Sequence, residues 1–203
     1  MKTNLIFLIS LIFSLPSITQ YNNIRNTDPQ TDELYAMEFT GVNQSLFGGS
    51  ISDAGDVNGD GYTDIIIGAA GFNNGIGRVY IFYGGEYMDS APDVILNGEY
   101  SADYFGTSVS GAGDLNGDGY SDVIVGTSNY NLNQGKVYIY FGGAVMNNTV
   151  DLTIKGDSTT VSHFGRSVSS AGDVNNDGYS DVIVGAFVYG VNKGRAYIYY
   201  GGA

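Results

Sequence analysis

One nine-residue stretch is written three times in this chain, and it limits the available folds more than any other feature. The copies are DVNGDGYTD at residues 56–64, DLNGDGYSD at 114–122 and DVNNDGYSD at 173–181, spaced by 58 and then 59 residues. Self-similarity at that period means an array of supersecondary units, each burying its apolar faces against its neighbours. Within every copy, oxygen-bearing side chains stand at positions 1, 3, 5 and 9, with glycine at position 6. Ca²⁺ takes roughly six to eight oxygens at ~2.3–2.6 Å, from carboxylates, amides and backbone carbonyls. A loop that bends sharply at the glycine directs positions 1, 3 and 5 inward, adds the position-7 carbonyl and closes with the last aspartate. Three calcium sites are therefore expected. Their ligands are Asp56, Asn58, Asp60, Tyr62 and Asp64; Asp114, Asn116, Asp118, Tyr120 and Asp122; and Asp173, Asn175, Asp177, Tyr179 and Asp181, each tyrosine through its carbonyl. Ordinary polar turns use the same residue types, but a turn does not demand one ligand register three times over. An EF-hand is excluded, because its twelfth position needs a bidentate Glu and Ile67, Val125 and Val184 stand there.

The repeats are expected to be small all-β sheets. A first strand runs from Phe47, Phe105 or Phe164 to the loop; a short apolar strand follows it (IIIG from Ile65, VIVG from Val123, VIVG from Val182). The third is aromatic and β-branched, starting at Val79, Val137 and Ala196, and a looser fourth runs over Asp93 to Leu96 and Val150 to Ile154. The middle strands are apolar on both alternating faces, so both sides of each sheet must be covered. Radial stacking of four-stranded blades does this, which makes a β-propeller the expected architecture. Residues 35–41 align with the fourth strand at 92–98, and the third unit ends on a third strand. Closed rings have about four to eight blades, so residues 35–203, in units of about 42–99, 100–158 and 159–203, read as the opening portion of a larger propeller.

The Phe-Gly starts (Phe47-Gly48, Phe105-Gly106, Phe164-Gly165), the DxNxDGYxD loop and the Gly-Ala after the second strand (Gly68-Ala69, Gly185-Ala186) resemble FG-GAP repeats, found in the propeller of integrin α subunits. The family's Gly-Ala-Pro element departs in all three units, standing as Gly68-Ala-Ala, Gly126-Thr-Ser and Gly185-Ala-Phe. The resemblance implies that the loops between first and second strands bind Ca²⁺ on one face of the ring. It also implies an extracellular interaction module for protein ligands, of cell-adhesion type. The alternative is the non-catalytic propeller portion of a calcium-dependent extracellular hydrolase, like a glycosylphosphatidylinositol-specific phospholipase D.

Catalysis by this chain is not expected. His163 is the one histidine and cysteine is absent, which removes the usual nucleophile systems. The net charge of −13 includes nine loop aspartates, and three Ca²⁺ would bring it to −7. No basic cluster offers itself to nucleic acid or an anionic membrane. Lys2, the apolar run from Leu5 to Leu15 and the small residues that follow have the layout of a secretory signal peptide over residues 1–19, ahead of a polar leader at 20–34. That run is too short to span a bilayer comfortably. Secretion, or the ectodomain of a surface protein, is the expected location, and the sequons at Asn43 and Asn147 fit it. A protein ligand or partner subunit is expected on the face opposite the calcium loops. There the second-to-third strand connections carry Phe72, Tyr130, Phe187 and Tyr189, with Tyr100 and Asp103 between units. Exposed blade edges are expected to invite self-association.

Overall fold

The structure, a computed structural model, describes residues 23–25, 35–157 and 161–203. The expected signal peptide lies outside these residues, as does most of the leader. What is described of the leader forms a strand: β1 (Asn23–Arg25) pairs antiparallel with β2 (Tyr35–Met37).

Three antiparallel sheets follow, in strict sequence order. The first is β3 (Phe47–Gly55), β4 (Asp64–Ala69), β5 (Arg78–Phe82) and β6 (Val94–Asn97); the second is β7 (Ser108–Gly113), β8 (Asp122–Thr127), β9 (Lys136–Tyr140) and β10 (Leu152–Lys155). The third has three strands, β11 (Phe164–Gly172), β12 (Asp181–Ala186) and β13 (Arg195–Tyr199). The all-β, blade-by-blade architecture read from the sequence is therefore the one observed.

The period-2 alternation of the central strands decides how the sheets stack. In the first sheet Ile66 pairs with Ile81 across β4 and β5, and this leading face packs against Val123, Val125, Tyr138 and Tyr140 on the trailing face of the second. The second sheet repeats the arrangement: Ile124 and Ile139 lead onto Val182, Val184, Tyr197 and Tyr199 of the third. Each repeat's Phe is wedged at the joint. Phe105 is 1% exposed and stands edge-on to Tyr138 at 5.1 Å; Phe164 meets Tyr197 at 5.5 Å in the same way. These faces exclude water on both sides of the middle blade, which is why its central strands carry Val123, Ile124 and Val125 in β8 and Val137, Tyr138, Ile139 and Tyr140 in β9.

The connections from second to third strand hold short helical turns that the sequence did not announce: α1 (Phe72–Gly75), α2 (Tyr130–Asn133) and α3 (Tyr189–Asn192). Three residues in each of the first two have positive φ: Asn73, Asn74 and Gly75 at 47°, 57° and 76°, and Asn131, Leu132 and Asn133 at 48°, 58° and 69°. Asparagine tolerates that conformation; leucine does so at a cost. The aromatic residue that opens each turn lies under a cation from the start of the next strand. The Arg78 guanidinium is 3.8 Å from the Phe72 ring centre, the Arg195 guanidinium 3.7 Å from that of Tyr189, and the Lys136 ammonium 5.2 Å from that of Tyr130. These aromatics, expected to be presented to a partner, are engaged within their own blades.

Candidate metal centre

Each repeated loop joins the first strand of a blade to the second. In the first copy the Asp56 carboxylate takes up the loop's amides: its Oδ1 accepts from the Gly59 and Asp60 N–H at 2.7 and 3.0 Å, its Oδ2 from Gly61 at 2.9 Å. Asn58 Oδ1 accepts from the Asp60 N–H, and Asp60 Oδ1 from the Tyr62 N–H, each at 2.9 Å. The second copy repeats these partners, and the third repeats them except at Asn176, where no bond from the position-4 amide to Asp173 forms. The side-chain oxygens of positions 1, 3 and 5 thus accept from the loop's own amides.

Position 9 behaves differently. Asp64, Asp122 and Asp181 are fully buried. Asp122 Oδ2 accepts from the Leu115 N–H at 2.8 Å and its Oδ1 from the Gly142 N–H at 2.9 Å, clasping the loop to the chain leaving β9. Asp64 binds Val57 and Gly84 in this manner, and Asp181 binds Val174 and Gly201. Sequence reasoning missed this second role. The Gly-Gly pairs at a constant distance beyond the aspartate were its only signal.

Burial raises the Asp122 carboxyl to about 6; its two amide hydrogen bonds pull against that rise, and the negative charges of Asp118 and Asp114 add to it. Asp64 is raised for the same reasons, with Asp60 and Asp56 as the repelling neighbours. Three carboxylates of one loop therefore feel one another, and no ion pair offsets them among the described residues. Nor do any three such groups already form a tight metal cage there, since the side chains rest on the loop's amides. An all-oxygen set of three carboxylates, one amide oxygen and a carbonyl has the chemistry that hard cations accept. The residues present fit such an ion.

The raised carboxyl makes a pH prediction. Its folded value lies above the unfolded one near 3.8, so the folded chain binds the proton more tightly and stability rises as pH falls through about 6. In chelator, melting temperature is expected to increase between pH 7 and 5, before other carboxylates destabilise the chain. A flat or falling trend over that interval, followed by calorimetry, would contradict the geometry.

The tyrosines at position 7 join neighbouring loops. A Cβ placed on Gly59 would lie 2.6 Å from Cε1 of Tyr120, and one on Gly117 would lie 2.6 Å from Cε1 of Tyr179. Each ring covers the position-4 glycine of the preceding loop, and both glycines have positive φ (77° and 79°).

Comparison with known sequences places these features in context. The FG-GAP repeat profile matches residues 48–82, 105–140 and 164–199. Integrin alpha-5 of Xenopus laevis is 37% identical over 156 residues, covering 70% of this chain and 15% of that protein. Integrin alpha-8 of Mus musculus is 32% identical over 182 residues, or 83% of this chain and 17% of the relative. Integrin alpha-4 of Xenopus laevis is 32% identical over 191 residues, or 91% and 18%. The chain thus spans 15–18% of the length of these curated relatives.

Proposed function

Since this chain belongs to the FG-GAP repeat family, we propose that it is a secreted, calcium-stabilised interaction module of adhesion type. One observation carries the reading: the same inward-facing oxygen set recurs in three loops, each with three aspartates and none with a cationic partner among the described residues. The ligands are those expected from the spacing, with position 9 serving both metal and backbone. Each ion would neutralise mutual repulsion and hold its loop against the next blade. At extracellular affinities of order 10⁻⁴–10⁻³ M, the sites are filled outside the cell. This role involves no catalytic step.

A protein partner is assigned to the end of the blades opposite the loops. Exposure supports this placement, and it shifts the contact residues from the clasped aromatics to their neighbours. Leu132 is 87% exposed although apolar and left-handed, and Tyr100 and Phe187 are each 58% exposed. Backbone strain kept at an exposed apolar tip suits a binding role better than a folding one. No helix among the described residues is long and apolar enough to cross a membrane.

The test is attachment of cells to beads coated with the chain, in calcium and in chelator. Attachment should need calcium, and Leu132→Ser should weaken it about tenfold while melting temperature and calcium uptake stay unchanged. Attachment that ignores both chelator and Leu132→Ser would overturn the proposal.

A further inference from the structure

Position 3 of every loop is an asparagine, and in two loops glycine follows it: Asn58-Gly59 and Asn116-Gly117, against Asn175-Asn176 in the third. Asparagine is a thermally labile residue, because the backbone nitrogen of the next residue attacks its side-chain carbonyl carbon. Glycine offers that nitrogen with no Cβ to obstruct the approach and with the widest choice of backbone conformations. Asn74-Gly75 and Asn97-Gly98 bring the Asn-Gly pairs of the chain to four.

The four pairs are restrained in two different ways. The Gly75 and Gly98 N–H groups donate to backbone carbonyls, Gly71 at 3.2 Å and Gly77 at 3.1 Å, and Asn97 Oδ1 accepts from the Arg78 guanidinium at 2.8 Å. Those bonds need no cation. In the loops, both the attacking nitrogen and the amide under attack are held by carboxylates. The Gly59 N–H donates to Asp56 Oδ1 at 2.7 Å, and Asn58 Nδ2 donates to Asp60 Oδ2 at 2.8 Å. Gly117 and Asn116 are held by Asp114 and Asp118 at the same distances. These carboxylates repel one another, with no cationic side chain between them among the described residues. The restraints on the reaction are therefore the groups that an empty loop drives apart.

We infer that Asn58 and Asn116 are calcium-gated hydrolysis sites, kept as asparagine while an ion fills the loop and converted to aspartyl or isoaspartyl residues while it stands empty. The inference rests on the calcium reading of the same loops. In the first step the Gly59 nitrogen gives its proton to solvent and bonds to Asn58 Cγ. The Cγ–Nδ2 bond breaks, Nδ2 leaves as ammonia and a succinimide ring closes. Water then adds to one ring carbonyl, and the bond from that carbon to the ring nitrogen breaks. The net change is one water taken up and one ammonia released, with no oxidation.

The two products differ in consequence. Aspartyl at position 3 sets a further carboxylate among the ligands. Isoaspartyl carries the backbone through the side-chain carbon, lengthens the loop by a methylene and takes the position-3 oxygen out of register, which disables the site. The third loop is spared, because Asn176 has a side chain beside the attacking nitrogen. A chain that has stood without calcium thus keeps a covalent record of it in its first two loops.

A site that reacts only when empty is slowed by the factor 1 + [Ca²⁺]/Kd, about ten- to a hundredfold for calcium at roughly 10–100 times the dissociation constant. The whole chain is incubated at 37 °C and neutral pH across a calcium series and in chelator, with ion uptake counted by native mass spectrometry on the same samples. Peptide mapping reads the gain of about 1 Da at each asparagine. In chelator Asn58 and Asn116 should convert at least about tenfold faster than Asn74, Asn97 and Asn175. Calcium should slow them by the factor above, with its midpoint at the dissociation constant of the sites. Asn176→Gly, at a position whose φ is already 59°, should make Asn175 convert as Asn116 does. Conversion at one rate with and without calcium, in a chain that takes up the ion, would overturn this inference and leave the calcium reading standing. The same result in a chain that takes up none would overturn both. Conversion of Asn74 and Asn97 at the rate of the loops, or an Asn176→Gly chain whose Asn175 stays intact in chelator, would also overturn it.

Discussion

Asp122→Ala is expected to cost about 2–6 kcal/mol in chelator, and in calcium to forfeit the stabilisation of one filled site besides. The substitution strips the acceptor from two amides, Leu115 and Gly142, at a side chain that is fully buried. A buried N–H left unpaired costs roughly 1–3 kcal/mol. Relief of the carboxylate's own burial cost offsets part of the loss, so the lower half of the range is favoured. Asp118→Ala is the informative contrast. Its carboxylate is exposed and accepts from the Tyr120 N–H and the Asn116 amide, so in chelator the substitution should cost less than about 1 kcal/mol. In 10 mM calcium it should forfeit the stabilisation of one filled site, roughly 1–3 kcal/mol for ligand at 10–100 times its dissociation constant. Urea unfolding of both variants in chelator and in calcium separates the two roles. Equal losses for both in chelator would show that position 9 is only another loop ligand.

Phe105→Ala should cost about 3–5 kcal/mol, the usual range for removing a buried aromatic ring. The ring is 1% exposed, meets Tyr138 and Tyr140 edge-on, and fills the joint between the first and second blades. The backbone at Phe105 bridges to Gly77, where a side chain would collide with it. Neighbouring residues therefore have little freedom to collapse into the cavity. The first blade should loosen from the second, seen as faster amide exchange in β3 and β4 than in β12. Phe47→Ala, at a half-buried position behind the first blade, should cost distinctly less. A Phe105→Ala loss no larger than that of Phe47→Ala would place the ring outside the joint.

Much of this was legible because each demand is local and repeated. The loop register, the apolar second strand and the aromatic third strand declare themselves through spacing alone, and together they specify antiparallel blades. What escaped depends on contacts between segments distant in sequence. The clasp from Asp122 to Gly142 spans 20 residues. The pairing of Arg78 with Phe72 is visible only once the turn at α1 becomes left-handed. Tyr120 and Tyr179 looked like carbonyl donors alone, yet their rings explain why position 4 is glycine in the first and second loops.

Calcium uptake counted by isothermal titration, with native mass spectrometry on the same samples, tests the central claim most directly. Wild type should bind three Ca²⁺ per chain at dissociation constants of order 10⁻⁴–10⁻³ M, and Asp60→Ala should bind two, with the remaining sites nearly unchanged. Binding should raise the melting temperature, and chelator should reverse the rise. A chain that takes up no calcium and melts at one temperature in calcium and in chelator would contradict the account.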